Sequence, residues 1–316
     1  MNITNKEERL AAMQVAYMDN DLSKLNREQL HESWFNDDTI DYWRHERMYE
    51  SIAAFAKQRT TASWLTIGDG RYGLDAIRLK NHFGLKHIFP TDISENMLKI
   101  SKERGLIEDY KIENAELLSF NDQSYDVLFC KEAFHHFPRP YIALYEMLRV
   151  AKEAVVLVEP AERLIHEGAK TKNYLLSAAK LLISKIFRKQ YLPYLPSLQP
   201  LINTHEEAGN YLYAVSVREL EKLIHGMDLG DMAYYYFNDY YIKGVEFEKS
   251  EPGNTMFEAI QKLILDADHL CTEYPQFHQP NMVAVILFKE VIPEETKKIM
   301  KTAGFNFVNK VSNPYL

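Results

Sequence analysis

A strand-like run that turns sharply on glycines is the first stretch of the chain whose residue types suggest chemistry. Trp64 to Ile67 is mostly apolar, Gly68 and Gly70 follow at once, and a helical pattern runs from Leu74 to Phe83. Such a turn brings bare backbone N–H groups close to a ligand. The spacing Gly68-x-Gly70-x-x-Gly73 also fits the dinucleotide-binding fingerprint, and a tight turn without any ligand has the same signature.

An acidic residue follows the next strand pattern, Lys86 to Pro90. Asp92 lies 19 positions beyond Gly73, where a carboxylate at the carboxyl end of a strand can accept both hydroxyls of a ribose. The alternative role for Asp92 is that of a turn carboxylate at the start of a helix, for which Ser94 is the expected N-cap. Together with the glycine turn, the spacing favours ribose binding.

Two adjacent histidines follow the fourth strand pattern, Tyr125 to Cys130. His135 and His136 are therefore expected at the carboxyl edge of a parallel sheet, where ligands bind in open α/β folds. Either imidazole could take a proton from an attacking hydroxyl, or it could pack against or cap the next helix. Glu159, at the end of the fifth strand, is a second candidate base or substrate contact, with a structural hydrogen bond as the alternative.

The elements that position these residues alternate between strand and helix from Trp64 to Pro160, which predicts a doubly wound, mostly parallel α/β sheet. Met232 to Ile242 and Met282 to Phe288 are further strand patterns. Residues 1–60 are predicted to be helical. Within them, Tyr42 to His45 either pack as a cap on the sheet edge or line a lid over a ligand.

Four ordered motifs resemble those of the class I S-adenosylmethionine-dependent methyltransferases, particularly the branch that includes the ubiquinone and menaquinone enzymes and many small-molecule enzymes. The resemblance covers residues 64–160. The motifs are Gly68-Asp69-Gly70, Asp92-Ile93-Ser94, Asn114-Ala115-Glu116 ahead of Phe120-Asn121-Asp122, and Ala133-Phe134-His135-His136-Phe137 followed by Tyr145-Glu146-Met147-Leu148-Arg149-Val150. Thr66 stands where the family usually has an acid, and Tyr72 stands where it usually has a third glycine.

The resemblance implies a Rossmann-like methyltransferase fold with S-adenosylmethionine as the cofactor. The cofactor-binding residues that it implies are Gly68, Asp69, Gly70, Asp92, Ile93, Asn114, Ala115 and Lys131. The catalytic candidates are His135, His136 and Glu132, with Lys131 and Glu132 beside the methionine end of the cofactor. No metal site is predicted, since the two cysteines cannot form one by themselves.

Charge in the glycine turn favours a methyl donor over a nicotinamide dinucleotide. Asp69 lies inside the turn and Asp75 in the first turn of the helix, so a diphosphate would be repelled there. S-adenosylmethionine has no phosphate and carries a sulfonium and an ammonium, which nearby carboxylates tolerate or stabilise. An NAD-dependent oxidoreductase is therefore the weaker alternative.

Composition limits the remaining classes. The chain has 316 residues, 46% apolar residues and a net charge of −8, which disfavours a general nucleic-acid binder held by phosphate contacts. The N-terminus lacks the apolar segment of a signal peptide, and no stretch is long and apolar enough to span a membrane. These features predict a soluble, cytoplasmic protein.

The predicted organisation is a helical cap (1–60), a Rossmann-like core (61–160 and 216–290), an inserted helical lid (161–215) and a C-terminal appendage (291–316). The family places its substrate cover where the lid falls. Residues 170–190 form a basic amphipathic pattern that either packs in the lid or contacts an anionic membrane surface.

The function predicted from these features is methyl transfer to a small-molecule acceptor, with the hydroxyl of a sugar or phenolic metabolite favoured over nitrogen or carbon. The alternative from another class is a cofactor-binding protein without catalysis, suggested by Thr66, Tyr72 and the absence of the customary Gly-Gly turn after Val150. The sequence leaves the acceptor and the oligomeric state open.

Overall fold

A single mixed sheet organises the part of the chain that the structure describes. This computed structural model describes residues 8–17, 27–162, 205–206, 208–275, 278–311, 313 and 315. The strands are β1 (Ser63–Ile67), β2 (His87–Asp92), β3 (Lys111–Ile112), β4 (Tyr125–Lys131), β5 (Ala151–Pro160), β6 (Met232–Phe237), β7 (Met282–Phe288) and β8 (Asn306–Val308). Within these residues they form one sheet in the order β3-β2-β1-β4-β5-β7-β6-β8.

The first five strands are parallel to one another, whereas β7 runs antiparallel between β5 and β6. The helices are α1 (residues 8–17), α2 (Arg27–Ser33), α3 (Ile40–Glu50), α4 (Ala53–Ala56), α5 (Leu74–Phe83), α6 (Asn96–Glu103), α7 (Pro140–Val150), α8 (Val217–Gly226), α9 (Thr255–Glu273) and α10 (Glu294–Thr302). The predicted α/β class with a mostly parallel sheet is confirmed.

Helices cover both faces of the sheet, so its central strands are apolar on both sides. In β7, Val283, Val285 and Leu287 pack into one hydrophobic cluster, while the alternating residues Ala284 and Ile286 pack into the other. Each of these side chains is fully buried. This two-sided burial explains why β7 appears in the sequence as an uninterrupted apolar run.

Helix α3 joins the N-terminal cap to the segment that contains Val245 and Phe257. Thr39 caps this helix by accepting a hydrogen bond from the backbone N–H of Tyr42 at 3.1 Å. Ile40 then packs with Val245 and Phe257, and its backbone N–H donates to the carbonyl of Glu248 at 2.8 Å. The helix therefore has a fixed orientation when it presents its polar residues to the core.

Several elements differ from the sequence expectation. The helix after β2 begins at Asn96, and the Ser94 N–H instead donates to the Asp92 carboxylate at 2.8 Å, so Ser94 is not its N-cap. The strand β6 ends at Phe237 instead of continuing to Ile242. The segment expected as an appendage adds a strand to the sheet, since β8 pairs antiparallel with β6.

Most of the predicted lid lies outside the described residues. This holds for 163–204 and for 207, and therefore for the whole amphipathic pattern at 170–190. The described ends of the predicted lid are tied to the core: the Val215 N–H donates to the carbonyl of Pro160, and the Tyr213 N–H donates to that of His135. Among the described residues, no helix is long and apolar enough to cross a membrane.

Candidate functional site

A cavity of about 560 Å³ lies at the carboxyl ends of β1, β2 and β4. This is the edge at which open α/β sheets bind ligands, and the volume is within the range of small-molecule sites. All the predicted cofactor-binding residues and the catalytic candidates on β4 and the loop after it line this cavity: Gly68, Asp69, Gly70, Asp92, Ile93, Asn114, Ala115, Lys131, Glu132, His135 and His136. The structure therefore brings together residues that are spread over 69 positions of the chain (68 to 136).

The glycine turn is shaped by close packing against the loop after β4. Gly68 has a φ of +75°, and a Cβ placed on it would lie 2.5 Å from the Cβ of Ala133. No other residue fits there without moving the backbone. Tyr72 also has a positive φ of 60°, and its hydroxyl is 2.9 Å from Nδ1 of His31. Tyr72, which stands where the family usually has a third glycine, is thus held by a contact with His31 of the cap.

Asp69 occupies the amino end of α5. One carboxylate oxygen accepts from the backbone N–H of Asp75 at 3.0 Å, and the other accepts from Ala76 at 2.9 Å and from the Thr66 hydroxyl at 2.8 Å. Burial, reinforced by the charge of Asp75, raises the pKa of Asp69 above its ordinary value. The N–H groups that would hold a diphosphate at a helix N-terminus are already used by this carboxylate. The turn is therefore unsuited to a dinucleotide.

Asp92 makes a turn hydrogen bond and also lines the cavity, so its position is compatible with both roles that the sequence left open. Its side chain lines the cavity, and its Oδ1 accepts the backbone N–H of Ser94 at 2.8 Å. Burial raises the pKa of Asp92 to about 6 despite the hydrogen bonds from Ser94 and Ile93. The turn contact orients the carboxylate at the end of β2, where a hydroxyl-bearing ligand can reach it.

Asn114 and Ala115 form the neighbouring wall of the cavity. The Asn114 side-chain oxygen accepts the Glu116 N–H at 2.9 Å, and a carbonyl oxygen can accept a second hydrogen bond. Glu116 is itself fixed by Arg139, whose backbone N–H and Nε donate to its two carboxylate oxygens at 2.6 and 2.7 Å. These hydrogen bonds hold this wall of the cavity in place and orient the side-chain amide of Asn114.

Lys131 is a buried cation at the end of β4. Its Nζ lies 3.2 Å from the Asp75 carboxylate and 3.0 Å from Nδ1 of His45. Asp75 also accepts a hydrogen bond from the Tyr49 hydroxyl at 2.5 Å. Burial, together with the charge of Lys131, lowers the pKa of His45 well below its ordinary value, so His45 is neutral and its Nδ1 can accept from the ammonium.

Glu132 follows Lys131 in a left-handed backbone conformation, with φ at 48°. Its side chain is 30% exposed and lines the cavity. Burial raises the pKa of Glu132, but the charges of Lys131 and Arg44 outweigh that effect and keep it below its ordinary value. Glu132 therefore combines a strained backbone conformation with an ionised carboxylate at the edge of the cavity.

His135 is held by a carboxylate that lies deeper in the protein. Its Nδ1 is 2.5 Å from Oε2 of Glu159, which is completely buried, while Oε1 accepts the backbone N–H groups of Ala133 and Phe134 at 3.0 Å each. Burial opposes the charged form of His135, but the Glu159 carboxylate outweighs it and raises the pKa of the histidine. Glu159 itself does not line the cavity, so the structure favours a structural hydrogen bond for it over contact with a substrate.

His136 has a carboxylate partner of its own. Its Nδ1 is 2.7 Å from Oε2 of Glu206, and its ring lies beside that of His135 with centroids 3.9 Å apart. Glu206 also accepts a hydrogen bond from Nδ2 of Asn210 at 2.8 Å. Two histidine–carboxylate pairs therefore stand side by side in the cavity wall.

The cap lines the cavity mostly with residues other than those singled out in the sequence. Of Tyr42 to His45, only His45 lines it. Arg44 is buried against Asp41 and Asp239, and Trp43 packs edge-on against Phe257. Sequence reasoning missed Gln14 and Asn210, which also line the cavity, because no local pattern marks either residue. The sequence likewise assigned no role to Glu206, which contacts His136.

The described residues contain no group of three or more histidine, cysteine, aspartate or glutamate side chains placed to hold a metal ion. The polar groups of the cavity instead pair with one another and with backbone N–H groups, as in the two histidine–carboxylate pairs. Proton transfer and hydrogen bonding are the chemistry that this arrangement offers.

Comparison with known proteins identifies the class. Residues 65–158 match the family model described as a methyltransferase domain. This match supports a class I S-adenosylmethionine-dependent methyltransferase domain, with S-adenosylmethionine as its cofactor. The matched residues run from β1 into β5 and include the glycine turn, Asp92, Asn114, His135 and His136. No curated protein matches the chain.

Solved structures align with the chain at low identity. Phosphoethanolamine N-methyltransferase 2 of Haemonchus contortus, in complex with phosphomonomethylethanolamine and S-adenosylhomocysteine, is 14% identical with a TM-score of 0.45, over 78% of this chain and 53% of that one. The YcgJ protein of Bacillus subtilis is 16% identical with a TM-score of 0.44, over 78% and 100%. The cyclase SpnF is 14% identical with a TM-score of 0.43, over 77% and 81%.

Proposed function

We propose that this methyltransferase methylates a hydroxyl group of a small molecule and that His135 removes the hydroxyl proton. The observation that carries the proposal is the 2.5 Å contact between His135 Nδ1 and the buried Glu159 carboxylate. A carboxylate on Nδ1 fixes the tautomer with the proton on that nitrogen and leaves Nε2 as the acceptor. A neutral hydroxyl is a weaker nucleophile than a neutral amine, so an oxygen acceptor has the greater need of such a base.

Residues on three strand ends are proposed to hold the cofactor. Asp92 accepts hydrogen bonds from the ribose hydroxyls, and Asn114 with Ile93 and Ala115 borders the adenine. Gly68 and Gly70 leave room for the methionine part next to the backbone. Asp69 shapes the turn through its hydrogen bonds to α5, and direct contact between Asp69 and the cofactor stays a prediction.

The donor set fits a positively charged, phosphate-free cofactor. Ionised Glu132 lines the cavity, and the helix N-terminus that would attract a phosphate is filled by Asp69. When bound, S-adenosylmethionine supplies a methyl group on a positively charged sulfur that is already an activated leaving group. The protein therefore has to align the acceptor, exclude water and take one proton.

The test is methyl transfer to oxygen in the wild type and in His135→Asn. Both proteins are incubated with methyl-labelled S-adenosylmethionine and a panel of phenol, catechol, methyl glucoside and 2-aminophenol, which offers both oxygen and nitrogen, and the methylated atom is located by NMR. We expect label on oxygen in the wild type and turnover lower by about 10²- to 10⁴-fold in the variant, the usual effect of losing a general base. The affinity for S-adenosylhomocysteine, measured by calorimetry, should remain unchanged.

A matched control is His225→Asn in α8, since His225 does not line the cavity. This control should retain wild-type turnover. Label on nitrogen or carbon alone, or wild-type turnover in His135→Asn, would contradict the proposal.

A further inference from the structure

The second histidine–carboxylate pair lies beside the first and is not used by the proposed proton transfer. His136 Nδ1 contacts Glu206 Oε2 at 2.7 Å, and the same oxygen accepts from Asn210 Nδ2 at 2.8 Å. With the Nδ1 proton of His136 directed at the carboxylate, the other ring nitrogen is an acceptor. The charge of Glu206 is shared between two donors within the wall.

Asn210 carries an acceptor atom that no described residue uses. The residue lines the cavity and is only 2% exposed. Because the atom facing the Glu206 carboxylate must be the NH₂ group, the opposite atom is Oδ1. Oδ1 is buried and has no hydrogen-bond partner among the described residues. Leaving a buried acceptor unpaired is unfavourable, and a donor on a ligand would remove this cost.

The segment that carries Asn210 is held in place by α1. Gly209 has a φ of +88°, and a Cβ on it would lie 2.9 Å from the Met13 side chain. From the same helix, Gln14 Nε2 donates to the backbone carbonyl of His136 at 2.8 Å. The position of Asn210 relative to His136 is therefore determined by packing on both sides, as selective recognition requires.

We infer that His136, Glu206 and Asn210 form a specificity site for a second hydroxyl next to the one that is methylated. The acceptor class is then a compound with two adjacent hydroxyls, either a catechol or an aliphatic vicinal diol such as a sugar. This inference rests on the proposed function, because the first hydroxyl is the one placed at His135. The adjacent hydroxyl donates to Asn210 Oδ1 or to the free nitrogen of His136.

Ring separation supports adjacency. The centroids of His135 and His136 are 3.9 Å apart, so one small molecule can contact both rings through neighbouring atoms. A second hydroxyl is favoured over an ammonium because Glu206 Oε2 already accepts from His136 and Asn210. The buried Oδ1 of Asn210 is a neutral amide oxygen that needs a single donor.

The experiment measures binding and turnover with probes that differ in one donor. Catechol is compared with 2-methoxyphenol, which keeps both oxygens and loses one O–H, and cis-1,2-cyclohexanediol is compared with cyclohexanol. Each probe is titrated into the S-adenosylhomocysteine complex of the wild type, of Asn210→Leu and of the control Asn306→Leu in β8. Methyl transfer to each probe is measured in parallel.

We expect the wild type and Asn306→Leu to prefer the diol of one pair by about 10- to 100-fold, the value of one satisfied buried acceptor. In Asn210→Leu this preference should fall to near one. The pair that shows the effect identifies the acceptor as phenolic or aliphatic. Equal binding of both members of each pair by the wild type, or a preference that persists in Asn210→Leu, would overturn the inference.

The two proposals fail separately. A diol preference in binding that depends on Asn210, without methylation of oxygen in any probe, would leave the specificity site standing and remove the proposed function. Methylation of oxygen without a diol preference would do the reverse.

Discussion

At the scale of single residues, the site depends on carboxylates that are buried but not equivalent. Glu159 is fully buried and contacts His135 Nδ1 as well as the backbone N–H groups of Ala133 and Phe134, so it is a positioning residue. Asp92 is buried at the cavity wall and has a raised pKa of about 6. The carboxylate of Asp69 accepts hydrogen bonds from the first turn of α5. These three carboxylates therefore serve different purposes, which are distinguished by their burial and their hydrogen-bond partners.

The role of Asp92 is tested by Asp92→Asn, which keeps the shape of the side chain and removes its charge. We expect the dissociation constant for S-adenosylmethionine to rise by about 10- to 100-fold, since hydrogen bonds to a charged group contribute about 1.5–3 kcal/mol. The measurement is calorimetric titration at pH 8, with Glu108→Gln on the exposed surface as the control.

The raised pKa of Asp92 gives the same experiment a pH dependence. The ionised carboxylate binds the ribose hydroxyls, and in the ligand-free protein it becomes protonated as the pH falls through about 6. Affinity should therefore weaken from pH 8 to pH 5 in the wild type, and less so in Asp92→Asn. Equal affinities of wild type and variant at pH 8 would refute the ribose assignment.

At the scale of elements, the turn from β1 into α5 depends on its closeness to the loop after β4. Gly68 and Gly84 have nearly the same φ, +75° and +71°, but a Cβ on Gly84 would meet nothing within 4 Å, whereas one on Gly68 would collide with Ala133. The two glycines thus separate the cost of a left-handed backbone from the cost of a steric clash.

We expect Gly84→Ala to lower the free energy of unfolding by about 1–2 kcal/mol, the cost of a left-handed backbone. Gly68→Ala should lose more than that and should also bind S-adenosylmethionine more weakly, because the clash displaces the turn that lines the cavity. Urea denaturation and calorimetry of both variants provide the comparison. Equal losses of unfolding free energy in the two variants would show that the close contact between Gly68 and Ala133 does not contribute to the stability of the turn.

At the scale of the whole molecule, the cavity forms where three parts of the chain meet. The sheet edge supplies Asp92 and His135, the cap supplies His45 and Gln14, and the segment before α8 supplies Asn210. A buried ion pair between Arg44 and Asp239 joins the cap to the loop after β6. Breaking such a pair leaves an uncompensated charge, so the cap and core are held as one unit.

The sequence was sufficient for the part of this arrangement that is local. The central strands and α5 were predictable because two-sided burial leaves apolar runs, and β7 was predicted at its exact bounds. The short strand β8 was not predicted, since three residues carry no usable periodicity. The ligand edge was predictable because the carboxyl ends of parallel strands meet there.

The pairing of side chains across the cavity could not be predicted. His136 and Glu206 are 70 positions apart, and Lys131 and His45 are 86 apart. Nothing in the spacing of such residues marks them as partners, because the tertiary fold decides which side chains meet. Asp69 shows the same limit at short range, because the sequence did not predict the hydrogen bonds of its carboxylate to α5.

The most direct test of the account is the pH dependence of methyl transfer to oxygen in the wild type and in Glu159→Gln, measured in a single turnover. Since Glu159 raises the pKa of His135, the wild-type rate should increase with pH through an inflection above the ordinary histidine value of 6.5. The variant should be slower and its inflection should move to lower pH. Identical rates and inflections in the two proteins would contradict a base held by Glu159.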